Sequence, residues 1–107
     1  PLMIGDVLNE NVDTNKIREY VYFMETRESL PKSGNGNPYY LGACRGTAYY
    51  FYYEKATVTT LNHAFLATIP EEAEGYVIYS DICTVPPEEL ARYNITFKKI
   101  PRDIAKL

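Results

Sequence analysis

Ile17, Tyr20, Val21 and Met24 recur at i, i+3, i+4 and i+7. That spacing predicts a helix over residues 14–27, with Asp13 or Thr14 as its cap. Lys16, Arg18, Glu19 and Glu25 occupy the other faces, and the dozen residues ahead read as a tail or entering segment. Two prolines then frame glycines and asparagines from Pro31 to Pro38, a loop by local rules. Strands are expected over 39–44 and 47–53, joined as a hairpin through the Arg45-Gly46 turn. The run Tyr49-Tyr50-Phe51-Tyr52-Tyr53 never alternates with polar residues. Both faces of that strand therefore need cover, which places it inside a sheet between strands 39–44 and 76–80.

The rest alternates helix and strand. Thr59 or Thr60 is expected to cap a second helix that buries Leu61, Phe65, Leu66 and Ile69 before Pro70 stops it. Tyr76-Val77-Ile78-Tyr79 reads as a third strand. Pro86-Pro87-Glu88-Glu89 opens a third helix ending near Tyr93-Asn94, since prolines and acids suit a first turn. Ile95-Thr96-Phe97 begins a fourth strand, and Pro101 introduces a short helical piece through Leu107. Strand–helix–strand repeats imply parallel pairing through right-handed crossovers. The expected fold is thus one compact α/β domain over residues 1–107. Its mixed four-stranded sheet holds one antiparallel hairpin, with the remainder parallel, and helices flank it.

At 107 residues such a domain buries roughly two-thirds of its unfolded surface, enough for a core. No apolar run approaches the roughly 20 residues of a membrane span, and no signal region is present, so the expected location is the cytoplasm. The absence of an initiator methionine reads as a piece excised from a longer chain. A net charge of −3 argues against a nucleic-acid binder over the whole surface, though not against a local basic patch. The segment 71–89 holds six acids and no base, whereas Arg92, Lys98, Lys99, Arg102 and Lys106 face only Asp103 after it.

Candidate chemistry is sparse. His63 is the one histidine and has no CxxC motif to join, so it reads as a surface helix residue rather than a metal ligand. Cys44 and Cys83 read as buried structural thiols. Gly34-Asn35-Gly36 leads from a helix into a strand, the reverse of a phosphate loop. Glu71, Glu72, Glu74, Glu88 and Glu89 read as solvated helix ends. Arg45-Gly46-Thr47-Ala48-Tyr49-Tyr50-Phe51-Tyr52 partly matches the RNA-recognition signature, whose aromatics stack on unpaired bases. On that alternative Tyr50 and Tyr52 would form a single-stranded RNA platform.

Four segments taken together carry a resemblance: Ala48-Tyr-Tyr-Phe-Tyr-Tyr-Glu-Lys55, Thr57-Val-Thr-Thr-Leu61, Tyr76-Val-Ile-Tyr-Ser-Asp81 and Ile95-Thr-Phe-Lys-Lys-Ile-Pro-Arg-Asp-Ile104. With Ile17 to Thr26, they resemble the C-terminal region of bacterial adenine-specific DNA methyltransferases of the type III restriction–modification kind, over about residues 6–107. The resemblance implies a parent enzyme that moves a methyl group from S-adenosylmethionine to the N6 amine of a flipped adenine. It also implies DNA, a second methyltransferase subunit or a restriction subunit as partners. The family's Asp-Pro-Pro-Tyr motif and its glycine-containing cofactor motif are both missing here, because Pro86-Pro87 sits between Val85 and Glu88. No catalytic, cofactor-binding or metal-binding residue carries over. The expected role is an accessory domain (scaffold, subunit contact or DNA-positioning module), with Lys98, Lys99 and Arg102 as its phosphate contacts if it touches DNA.

Overall fold

A computed structural model of the chain describes residues 3–4, 7–8, 12–70 and 72–102. Two apolar pairs separated by two residues, Met3–Ile4 (β1) and Val7–Leu8 (β2), form a small antiparallel ladder. Within the expected tail, residues 3–4 and 7–8 are thus paired strands. Helix α1 follows over Thr14–Thr26, with the Asp13 carboxylate accepting from the Asn15 amide and Arg27 closing it in a left-handed conformation. Its buried side is Ile17, Val21, Tyr22 and Thr26, so the expected apolar face is rotated and Met24 points to solvent.

The main sheet runs β3 (Tyr40–Cys44), β4 (Thr47–Phe51), β6 (Gly75–Ser80), β8 (Ile95–Lys99) in spatial order. β3 pairs with β4 antiparallel; β4–β6 and β6–β8 are parallel. This is the mixed four-stranded α/β architecture read from the pattern, with β4 inside the sheet between β3 and β6. Tyr49 and Phe51 face α1, whereas Ala48 and Tyr50 face the opposite layer, so both sides of the aromatic strand are covered. One cluster joins Ile17, Val21, Tyr22, Leu41, Phe51, Tyr53 and Ile100; the other joins Tyr50, Leu61, Phe65, Ile78, Val85 and Ile95. Gly42 sits at a bulge in β3, where a Cβ would lie 2.7 Å from Pro31 Cγ and 3.0 Å from Tyr22 Cζ. The backbone approaches that loop too closely for any side chain.

The second layer differs most from the pattern. Thr60–Leu61 is a strand, β5, and the helix after it is capped by Asn62, whose Oδ1 accepts from the Phe65 amide at 2.8 Å. Helix α2 is only His63–Leu66, continued by isolated turn bonds to Ile69. β5 pairs in parallel with β7 (Ile82–Cys83), a two-stranded sheet the pattern did not announce. The reason lies in Val58-Thr59-Thr60: β-branched residues favour extension, and the Asp81 carboxylate holds Thr59 there. Helix α3 spans Pro87–Arg92 with Glu88 and Glu89 in its first turn. Of the short helical piece expected after Pro101, residues 103–107 lie outside the described residues. No helix among the described residues is long and apolar enough to cross a membrane.

Candidate functional site

Open α/β sheets hold ligands in the crevice beyond the carboxyl ends of their parallel strands. Here that position is taken by Asp81, which leaves β6 with its side chain 9% exposed. Its Oδ2 accepts from the Thr59 amide at 2.8 Å and the Thr59 hydroxyl at 3.2 Å. Its Oδ1 meets Arg102 Nε at 2.9 Å, and its backbone carbonyl accepts from Lys99 Nζ at 2.8 Å. Arg102 also donates to the carbonyls of Glu54 and Lys55 and lies over the Tyr53 ring, 4.5 Å from its centroid. A carboxylate, a guanidinium and an aromatic face thus engage one another, with an ammonium on the adjoining backbone carbonyl. Beyond β6, the crevice is filled by its own side chains.

Lys98, at the end of β8, points to the α1 side of the sheet. Its ammonium donates to Glu25 Oε2 at 2.7 Å, and the Tyr79 hydroxyl donates to the same oxygen at 2.5 Å. The fold does bring Lys98, Lys99 and Arg102 to one end of the sheet. It also supplies Glu25 and Asp81 as counter-ions to two of them, which local sequence could not reveal. Burial and the Glu25 hydrogen bond push the Tyr79 phenol above its ordinary range. Tyr39 donates to Glu54 Oε2, and that bond with burial pushes it up to about 12. A tyrosine serving as base or nucleophile needs its pKa lowered; both are moved the other way.

This has a measurable consequence. A folded-state pKa raised above the unfolded value of 10 gives stability that is complete below pH 10 and is lost as pH rises towards 12. Tyrosinate absorbance of the native chain should therefore rise in two stages, with Tyr39 in the late one and absent from it in Tyr39→Phe. Titration of all tyrosines in a single step at the ordinary value would refute the assignment.

The aromatic platform required for base stacking is not formed. Tyr50 is 1% exposed, under the Pro31–Pro38 loop, whose Asn35 donates to its hydroxyl at 3.0 Å. Tyr52 has left β4 and stacks on Phe65, with centroids 4.4 Å apart and planes 18° apart. The glycine–asparagine loop is a lid on the core, pinned by Asn37 Nδ2 to the Thr68 hydroxyl at 2.8 Å. His63 is exposed on α2 and meets Glu89 of α3 at 2.7 Å. Cys44 is buried as expected, whereas Cys83 is only half-buried; both are free thiols. Among the described residues, no cluster of three metal-ligating side chains occurs.

Open clefts lie elsewhere among the described residues. A polar one of about 610 Å³ lies at the start of α1, where Arg18, Tyr39, Tyr53 and Lys55 meet. Arg18 there donates to the carbonyls of Pro38 and Tyr40. An apolar one of about 550 Å³ lies between α2 and α3, lined by Leu66, Ile69, Tyr76 and Tyr93, with Glu72 and Glu89 at its rim. Only the acidic rim had a signal in the sequence, as the base-free run that ends at Glu89. No protein-family model, no curated protein and no solved structure matches this chain.

Proposed function

We propose that the chain is a non-catalytic accessory domain of a site-specific adenine-N6 DNA methyltransferase, serving as scaffold and subunit contact in a cytoplasmic enzyme. The observation that carries this reading is the closed network of Thr59, Asp81 and Arg102. Each belongs to a different segment of the resemblance, 57–61, 76–81 and 95–104. On this reading the three segments serve to lock the domain together at the carboxyl end of β6.

The parent enzyme's S-adenosylmethionine needs a glycine turn between a strand and the helix after it, so that the backbone can approach the ligand. The described glycines do not fit that requirement. Gly34, Gly36, Gly42 and Gly46 precede β4, and Gly75 opens β6 rather than ending it. The cofactor and the flipped adenine belong to other parts of the parent chain, where an Asp-Pro-Pro-Tyr motif is expected. DNA contact through Lys98, Lys99 and Arg102 is the weaker form of the proposal. A phosphate would have to draw Lys98 from Glu25 and Arg102 from Asp81, exchanging one ion pair for another.

Calorimetry of the 107-residue chain with S-adenosylmethionine, beside a methyl-transfer assay on mixed-sequence duplex DNA, tests the reading. No heat of binding and no transfer above blank are expected. Micromolar cofactor binding or measurable turnover would overturn it.

A further inference from the structure

The outward side of α1 carries exposed apolar side chains that no other element among the described residues covers. At 3.6 residues per turn, Lys16, Tyr20, Phe23, Met24 and Arg27 fall on one arc that adjoins Ile17 and faces away from the buried Tyr22, with Glu19 at its edge. Phe23 is 46% and Met24 48% exposed, and the Arg27 guanidinium lies over the Phe23 ring at 5.5 Å. The result is an apolar ridge with a cation at each end.

The cleft between α2 and α3 has the converse form. It is lined by Leu66, Ile69, Tyr76 and the 51%-exposed Tyr93, over whose ring the Arg92 guanidinium lies at 5.8 Å, and by the acids Glu72 and Glu89. Glu89 is shared with His63. The ridge belongs to the layer on one face of the main sheet and the cleft to the layer on the other. One chain therefore cannot seat its own ridge in its own cleft. Two chains related by a two-fold axis through α1 would set Lys16 of each near Arg27 of the other, placing like charges together. Ridge into cleft is the pairing in which the apolar areas meet and Lys16 and Arg27 are offered the acids Glu72 and Glu89.

We propose that a second copy of this chain is the occupant of the α2–α3 cleft, docking the Tyr20–Phe23–Met24 ridge of α1 head to tail. Ridge and cleft lie on opposite faces, so the contact does not close at two subunits; each docked copy offers another cleft. The proposal is independent of the methyltransferase reading and stands or falls on association alone. A single helix face in a shallow cleft belongs to the small, transient class of interface, with a dissociation constant of roughly micromolar to millimolar order.

Sedimentation equilibrium of the 107-residue chain should show a mass that climbs with concentration past the dimer, and less steeply at high salt. Phe23→Glu removes the ridge and Tyr93→Glu the cleft wall. Both side chains are exposed, so urea melts should stay close to the parent's while association weakens at least about tenfold in each. Mixing the two variants supplies one intact cleft and one intact ridge. The mixture should form a one-to-one pair and stop there, which no other arrangement predicts. A single 12.3 kDa species up to about millimolar concentration would overturn the proposal. So would association that either variant leaves intact, or two monomeric variants that fail to pair when mixed.

Discussion

Asp81→Asn should lower the stability of the domain by about 3–5 kcal/mol, a third or more of what a chain of this size possesses. The substitution keeps the side chain's size and removes its charge. Arg102, with a side chain only 18% exposed, then loses its carboxylate while remaining held against Tyr53 and the carbonyls of Glu54 and Lys55. Removing one partner of a largely buried ion pair costs far more than the pair contributed, because the hydration of the remaining charge is not restored. Arg102→Met should cost a similar amount for the mirror reason. The double variant should cost clearly less than the sum, by about 0.5–3 kcal/mol. Urea melts followed by far-ultraviolet circular dichroism measure all three. Full additivity would mean that the two charges do not meet.

Phe51→Ala should cost about 3–5 kcal/mol through the cavity it leaves. Phe51 is 2% exposed at the centre of the α1-side cluster. Its ring stacks on Tyr53 at 5.2 Å and receives Tyr79 edge-on at 5.8 Å. Those neighbours are themselves fixed, Tyr53 under Arg102 and Tyr79 by Glu25, so the site cannot collapse to fill the space. The urea midpoint should fall sharply with little change in slope. Phe23→Ala, the same deletion on the open side of α1, should stay within about 0.5 kcal/mol of the parent. Comparable losses at the two positions would mean that the burial of β4 is misassigned.

The sheet was legible because its signals are local. An unbroken aromatic run needs cover on both faces, and the prolines and glycines mark where the chain reverses. Two failures have physical causes. In α1, Tyr20, Tyr22, Phe23 and Met24 leave large apolar groups on both sides of the helix, so periodicity locates the element without selecting the face it buries. At residues 57–62, a cap residue and a β-branched run overlap, and Thr59 followed the second tendency because Asp81 arrives to receive its amide. The candidate site was legible in the same partial way. Lys98, Lys99 and Arg102 stand out as a cationic group in the sequence, and no local signal marks Asp81 as a partner to them. That Asp81 and Glu25 neutralise Arg102 and Lys98 is a property of the folded chain, since α1, β6 and β8 meet only once the sheet is assembled.

Parallel pairing also sets the order of events in folding. β3 and β4 meet across a two-residue turn and can zip early, whereas β6 must wait for the whole α2 crossover and β8 for the α3 crossover after it. Non-local ladders of this kind delay folding, because loop closure is unfavourable before any contact compensates it. Until β8 docks, the edge of β6 offers unpaired backbone groups on a strand that carries Tyr76, Val77, Ile78 and Tyr79, a template for another chain. Asp81 meanwhile has no Arg102 beside it. The carboxylate that locks the finished domain is, on the way there, a charge that keeps the exposed strand's end hydrated and disfavours premature pairing.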